Sequence, residues 1–281
     1  MREIEASLIA ETISEMCVTA NCLIGEDIRS ALKEAEKSEA ANSLGRNVLG
    51  TLLVNAEVAE EKMIPICQDT GMAVVFVEIG QDVHITGGWL EDAINIGVAD
   101  GYEKGYLRKS VVRDPIDREN TKNNIPAVIH YRVVPGDKLK LTISPKGFGS
   151  ENMSALAMLK PSQGLAGVKN FIIQTVQKAG PNPCPPIILG VGVGGTMEKA
   201  AVMAKEGLLR PVGTKNPDPF WNKIEEELLV EINDLDIGPA GFGGRTTALA
   251  VHIKLYATHI AGLPVAVNIG CHVTRHTERI L

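Results

Sequence analysis

The stretch Ile66-Cys67-Gln68-Asp69-Thr70-Gly71-Met72 places a thiol, an amide, a carboxylate and a hydroxyl on four consecutive residues. Four such side chains cannot all face a hydrophobic core, and Gly71 predicts a turn. An apolar run from Met72 to Ile79 follows at once and predicts a strand. We therefore predict a loop at the start of a strand, where side chains are available to a ligand. A polar turn with an incidental cysteine is the alternative.

Length, charge and hydropathy exclude several classes of protein. The chain has 281 residues, enough for one large or two modest domains. Its formal charge of −6 comes without a basic patch, which argues against a nucleic-acid partner. No apolar run reaches membrane-spanning length, and the N-terminal residues lack the pattern of a signal peptide. We expect a cytoplasmic protein that is not bound to a membrane.

The five cysteines fall into two groups. An odd number without an export signal argues against a disulfide framework. Cys17 and Cys22 lie in a predicted helix and are expected to be buried in the core. Cys67, Cys184 and Cys271 each lie where a strand-like run meets a turn rich in glycine or proline.

The three turn cysteines are separated by more than eighty residues, so they match no compact zinc or ferredoxin motif. Cysteines distant in sequence can still meet in space. Three thiolates can hold an iron–sulfur cubane and leave the fourth iron open to a substrate hydroxyl. From spacing alone this is one hypothesis among several.

Apolar periodicity predicts a mixed α/β (α+β) fold, with helices packed on largely antiparallel sheets. Gly25 is expected to separate two N-terminal helices, with Asp27 as the N-cap of the second. Two alternating runs, 128–134 and 139–144, are joined by Pro135-Gly136-Asp137 and predict a β-hairpin. Helices are predicted within residues 1–60, 89–106, 162–179, 197–209 and 219–235.

Two further segments suggest anion binding. Arg108 and Arg113 follow a predicted helix, and a guanidinium can bind a carboxylate through two hydrogen bonds. Gly147-Phe148-Gly149 could present backbone N–H groups to an anion. The same segment could be a tight turn with Ser150 as a helix cap, which the sequence alone slightly favours.

Gly190, Gly192 and Gly195 match the spacing of a dinucleotide-binding fingerprint between a strand and a helix. The acidic residue expected about twenty positions later should end a second strand. That region, 215–219, is instead a predicted loop with two prolines. A nucleotide-dependent oxidoreductase therefore remains a weaker alternative, as does a scaffold whose cysteines only pack.

Several motifs in order resemble the class I, iron–sulfur, fumarate hydratases. The chain is most similar to the alpha subunit of the two-subunit form, a family shared with L-tartrate dehydratase. The resemblance extends over the whole chain, which we treat as one hydro-lyase domain of residues 1–281 with room for two subdomains. The motifs are Cys67–Gly71, Lys146–Ser154, Cys184-Pro185-Pro186 with Gly192–Thr196, and Gly241–Thr247.

The resemblance implies a [4Fe-4S] cluster held by Cys67, Cys184 and Cys271, with one iron not ligated by protein. The reaction it implies is the reversible hydration of fumarate to L-malate, and the alternative substrate is L(+)-tartrate. The open iron would act on the substrate hydroxyl as a Lewis acid.

The same resemblance assigns roles to four other residues. Gln68 and Asp69 would lie beside the dicarboxylate substrate, with Asp69 taking part in the proton chemistry. Arg108 would bind a substrate carboxylate, and Gly149 would donate its backbone N–H. The substrate, fumarate or tartrate, is not resolved by these motifs.

The chain departs from single-chain members of the family in two respects. Ile188 occupies a position where they have a histidine, so no histidine base is assigned. Their C-terminal half, with further arginines, a lysine and an acid–base threonine, has no counterpart here. We therefore expect a beta subunit that carries the remaining active-site residues, in an α2β2 assembly.

Overall fold

The computed structural model describes residues 1–281 and contains eight α-helices and ten β-strands. The helices are α1 (Ala6–Cys22), α2 (Glu26–Ser38), α3 (Leu44–Lys62), α4 (Leu90–Lys104), α5 (Phe148–Glu151), α6 (Gly164–Ala179), α7 (Met197–Gly207) and α8 (Pro219–Asn233). The strands are β1 (Arg2–Glu5), β2 (Met72–Gly80), β3 (Val83–Thr86), β4 (Val128–Val134), β5 (Leu139–Lys146), β6 (Ala155–Leu159), β7 (Ile187–Gly194), β8 (Ala248–Tyr256), β9 (Leu263–Gly270) and β10 (Thr277–Ile280).

The chain forms two compact units, each built from separate segments. Unit 1 contains Met1–Ile24, Asn55–Gly147 and Arg275–Leu281. Unit 2 contains Gly25–Val54 and Phe148–Thr274. The predicted α/β class is confirmed, and each unit contains one four-stranded sheet with two antiparallel pairs and one parallel pair.

The sheet of unit 1 has the strand order β10-β5-β2-β4. Alternate residues of β2 (Ala73, Val75 and Val77) face a core that α1 and α4 complete with Ile13 and Ile94. By length and apolar composition, the segment Ala6–Ser38 could cross a membrane. Core helices of soluble proteins pass the same test, and Ile9, Ile13 and Met16 of α1 are fully buried in this core.

The predicted hairpin of β4 and β5 is wrong, because β2 lies between the two strands. β2 pairs with β4 in parallel and with β5 in antiparallel orientation. The turn at Gly136 crosses the end of β2, where the Asp82 N–H donates to Gly136 O at 3.0 Å. β2 takes the centre because its side chains are largely buried on both faces.

The sheet of unit 2 has the order β6-β9-β7-β8 with helices on both faces. Ile187, Leu189, Val191 and Val193 of β7 face α6 and α8. The opposite face of β7 packs against α7, whose Ala200 and Ala204 share a small cluster with Ala266 of β9. β7 is therefore buried on both faces, as its unbroken burial pattern shows.

Asp27 is not the N-cap of α2. The helix begins at Glu26 after Gly25, and no side chain caps it. The Asp27 carboxylate instead accepts a hydrogen bond from the Val212 N–H at 2.8 Å. The carboxylate has a partner 185 positions away in sequence, which local sequence patterns do not reveal.

Candidate functional site

Residues 67–71 form a tight turn in unit 1, here called the Cys67 turn, between α3 and β2. Gly71 has a φ of 69°, and an added Cβ there would lie 2.4 Å from the carbonyl carbon and oxygen of Lys146. Only glycine fits this conformation and this close approach to β5. Cys67 and Asp69 are half-buried and Gln68 is exposed, so the side chains predicted to react are accessible.

Three buried side chains hold consecutive carbonyl groups of the Cys67 turn. Arg275 Nη2 donates to the main-chain oxygen of Asp69 at 2.7 Å. Tyr102 Oη bridges the carbonyls of Thr70, at 2.8 Å, and Gly71, at 3.1 Å. Asn124 Nδ2 also donates to Gly71 O, at 3.1 Å. Such satisfied buried bonds fix the backbone of a loop.

Two contacts define the surroundings of Cys67 and Asp69. The Asp69 N–H donates to Cys67 Sγ at 3.4 Å. A Cβ added to Gly147 would lie 2.9 Å from Asp69 Oδ2, so the carboxylate lies against the glycine. The turn therefore presents a carboxylate two residues from a thiol.

The structure distinguishes the two candidate arginines. Thr70 Oγ1 donates to the main-chain oxygen of Arg108 at 3.1 Å, which attaches this residue to the Cys67 turn. The Arg108 side chain is exposed and forms no ion pair. Arg113, in contrast, pairs with Asp117 at 2.7 Å and Glu119 at 2.8 Å. Only Arg108 has a guanidinium available to an anionic ligand.

Asn124 connects the Arg108 segment to the turn. It is fully buried, and its Oδ1 accepts the N–H groups of Ser110 at 2.7 Å and Val111 at 3.1 Å. Its amide nitrogen reaches Gly71, as described above. One amide side chain thus fixes two segments that carry predicted site residues.

Cys184 and Cys271 both lie in unit 2, at the same end of its sheet. The pairing of Ile188 with Gly270 brings the start of β7 next to the end of β9. Cys184 has a φ of 54° and is exposed, and Cys271 is half-buried. His272 Nδ1 lies 3.0 Å from the main-chain oxygen of Cys184 and joins the two segments.

The segment around Gly149 forms the short helix α5 of unit 2. Ser150 lies inside this helix and is buried, so the predicted Ser150 cap is wrong. An added Cβ on Gly149 would meet only Asn182 O, at 3.7 Å. Glu151, which ends the helix, pairs with Lys205 at 2.7 Å and accepts from Asn268 Nδ2 at 2.9 Å.

The glycines of the fingerprint allow a helix to approach a strand. Gly190 and Gly192 lie within β7, not in a loop that could surround a phosphate. An added Cβ would lie 1.9 Å from Ala204 O at Gly190 and 2.1 Å from Ala200 O at Gly192. Both glycines are therefore required by the packing of α7 on β7.

The glycine loop before Arg245 encloses a carboxylate from the chain itself. Glu39 is 4% exposed and accepts the N–H groups of Arg245, at 2.9 and 3.1 Å, and Thr246, at 2.9 Å. A Cβ on Gly244 would lie 2.9 Å from Glu39 Oε2. The backbone donors of this loop are thus occupied by an internal anion.

Sequence patterns did not indicate four residues that build these turns: Tyr102, Asn124, Arg275 and Glu39. Each acts on main-chain groups far away in sequence, up to 207 positions for Glu39. Periodicity assigns Tyr102 only to the buried face of a helix. No group of three or more His, Cys, Asp and Glu side chains converges on one point to ligate a single metal ion.

A family model described as Fumarate hydratase (Fumerase) matches residues 10–280. The chain belongs to the fumarate hydratase family. This family consists of hydro-lyases, so the predicted resemblance is confirmed and the chain is a member of a lyase family.

Two relatives of this member of the fumarate hydratase family align with it over nearly its whole length. A protein of Methanocaldococcus jannaschii named "Putative L(+)-tartrate dehydratase subunit alpha" is 40% identical over 273 residues, 95% of each chain. The L(+)-tartrate dehydratase subunit alpha of Escherichia coli strain UTI89 is 30% identical over 270 residues, 95% of this chain and 88% of its own. The names of both proteins give tartrate, not fumarate, as their substrate.

Proposed function

We propose that this chain is the alpha subunit of an L(+)-tartrate dehydratase. The observation that supports this most is the 40% identity to a relative with that name over 95% of both chains. The first expectation, fumarate, becomes the second candidate, which the description of the family model favours. Both reactions remove or add water across two carbons that each carry a carboxylate, so they need the same chemical groups.

Cys67, Cys184 and Cys271 are proposed to hold a [4Fe-4S] cluster with one iron free of protein ligands. These three thiols are exposed or half-buried, whereas Cys17 and Cys22 are buried. Burial raises the pKa of the Cys17 thiol far above its ordinary value, so it stays protonated and is a poor ligand. Thiolates are the ligands that iron–sulfur clusters prefer. The bound cluster would supply a Lewis acid for the departing hydroxyl.

The other proposed residues would bind substrate and move a proton. The free guanidinium of Arg108 would bind one carboxylate, and Gln68 and the Gly149 N–H would orient the rest of the molecule. Asp69 would take part in removing the C3 proton. That proton is weakly acidic, so its removal requires stabilised charge on the adjacent carboxylate. Dehydration of tartrate then gives an enol that becomes a 2-oxo dicarboxylate.

A beta subunit completes the proposed enzyme. The relatives are named as alpha subunits, which implies a second kind of subunit. We propose an α2β2 assembly in which the beta subunit contributes further acid–base and arginine side chains.

The test uses the chain co-purified with its partner subunit under anaerobic conditions. We expect about four irons per chain, with their loss in Cys67→Ser, Cys184→Ser and Cys271→Ser. Cys17→Ala is the matched control and should keep its iron, because this thiol is buried in the core. The value of kcat/KM for L(+)-tartrate should exceed the value for fumarate or L-malate.

Two results would contradict the proposal separately. A protein that stays colourless after anaerobic reconstitution would exclude the cluster. A higher kcat/KM for fumarate with the cluster intact would instead assign the second candidate substrate.

A further inference from the structure

The Arg275 guanidinium is buried and has no ion-pair partner. Its side chain is in unit 1 and the residue is 5% exposed. Nη2 donates to Asp69 O at 2.7 Å, and Nε is buried without a hydrogen-bond partner. The guanidinium forms no ion pair. The main chain of the residue is held separately, because Ser144 Oγ donates to Arg275 O at 3.2 Å.

An unpaired buried cation is costly, because removing a charge from water carries a penalty of several kcal/mol. Buried arginines therefore usually have a carboxylate or another anion as a partner. Burial raises the pKa of the Cys22 thiol and of the Tyr102 hydroxyl, and the Arg275 charge opposes both shifts. The Arg275 charge thus acts on the interior of unit 1 next to the Cys67 turn. The Asp69 carboxylate acts on Tyr102 in the opposite direction, but it forms no ion pair with the guanidinium.

The neighbouring carbonyls of the turn show that a cation is not needed to hold them. Thr70 O and Gly71 O are bound by Tyr102 and Asn124, which are both neutral. Only Asp69 O, next to the proposed ligand and substrate residues, is held by a charged group. A neutral amide could make the same hydrogen bond at a lower desolvation cost.

We propose that Arg275 is a positioning residue whose charge balances an anionic iron–sulfur centre on the Cys67 turn. This inference rests on the proposed function, because it requires the cluster. A cluster with three thiolate ligands is anionic, and nearby charge is one of the factors that set its reduction potential. A cation close to the centre stabilises the reduced form and raises the potential, and it also helps to retain iron.

The experiment compares Arg275→Gln and Arg275→Lys with wild type in the complete complex, purified anaerobically. Arg132→Gln is the matched control, since Arg132 is exposed on β4 of the same unit. The reduction potential of the cluster is measured by titration with a spectroscopic readout, and iron release to a chelator is timed. Circular dichroism and thermal unfolding verify that each variant is folded.

We expect Arg275→Gln to lower the potential and to increase the rate of iron release about tenfold or more. Arg275→Lys keeps the charge, so its potential should remain close to the wild-type value even if iron release is faster. Arg132→Gln should match wild type in both measurements. A merely structural role for Arg275 would change stability but not the potential.

The outcomes that overturn the inference are distinct from failure of the proposed function. An unchanged potential in Arg275→Gln with iron bound would reject the role of the charge and leave the cluster in place. Wild type and Arg132→Gln without iron would reject the cluster and the inference together. If Arg275→Gln does not fold, the Lys variant decides, since a lowered potential despite its charge would contradict the proposal.

Discussion

The Tyr102 hydroxyl donates to the main-chain oxygen of Thr70 across 2.8 Å and reaches Gly71 O at 3.1 Å. α4 thereby holds the backbone of the turn that precedes β2. The hydroxyl is fully buried, so its removal would leave Thr70 O without this donor and without water to replace it.

Tyr102→Phe should lower the free energy of unfolding of the chain by about 1–3 kcal/mol. The benzene ring remains, so the loss reports the hydrogen bonds rather than the packing. Urea unfolding followed by circular dichroism measures it. Tyr106→Phe is the control, because Tyr106 is 93% exposed and should change stability little. Equal stability of the two variants would show that the Tyr102 hydroxyl does not stabilise the turn.

Gly190→Ala should destabilise the protein by about 1–3 kcal/mol or more, since the new methyl group would overlap Ala204 O and displace α7. Gly262→Ala is the control, because an added Cβ there has only contacts of 3.7 Å or longer. Thermal unfolding of both variants tests the difference. If Gly190→Ala were as stable as wild type, the close packing of α7 on β7 would be wrong.

Glu39→Gln should cost about 1.5–3 kcal/mol of stability. The carboxylate accepts N–H groups from Arg245 and Thr246, and an amide would direct its own N–H group at one of these donors. Denaturant unfolding of this variant is compared with Glu34→Gln, whose carboxylate is exposed and pairs only with Lys37. Similar unfolding midpoints for the two variants would contradict the role of Glu39.

His252 should make the protein less stable in mild acid. Burial, with a contribution from the Arg210 charge, lowers the pKa of His252 from 6.5 to about 4. The hydrogen bond to Gly207 and the charges of Glu225 and Asp27 act in the opposite direction. Between pH 6.5 and 4 the unfolded chain binds a proton that the folded chain does not, so stability falls as the pH decreases.

The expected loss over this pH range is about 3 kcal/mol. It is measured as the free energy of unfolding at several pH values. His252→Gln should reduce this dependence, whereas His84→Gln should retain it because His84 is exposed. The assignment to His252 would be wrong if both variants kept the full dependence on pH.

The sequence was most informative where structure depends on nearby residues. Periodicity located α4, α6 and α8 to within a few residues. The local sequence around each cysteine separated the buried Cys17 and Cys22 from the accessible cysteines. The hairpin failed because the turn residues at 135–137 indicate a reversal of the chain but not which strand lies beside which. Strand β2, more than fifty residues earlier than β5, occupies the position between them.

The same limit applies to the candidate site. By composition alone Arg108 and Arg113 are equivalent candidates. The family resemblance selects Arg108, and in the structure the ion pairs of Arg113 separate the two. Asn124 and Arg275 act through hydrogen bonds to carbonyl groups, which every residue has. No sequence motif therefore marks their targets. The glycines of β7 fit a fingerprint by spacing, but the space around them is filled by α7.

The division of the chain into units has a consequence for the order of folding during synthesis. Unit 1 includes both Met1–Ile24 and Arg275–Leu281, and β10 pairs with β5 at the edge of its sheet. The sheet of unit 1 is therefore complete only after residues 277–280 have left the ribosome, although α1 of the same unit is synthesised first. Unit 2 has most of its residues in one uninterrupted segment, 148–274, and can begin to fold earlier. Unit 1, which begins first, is thus expected to be completed last.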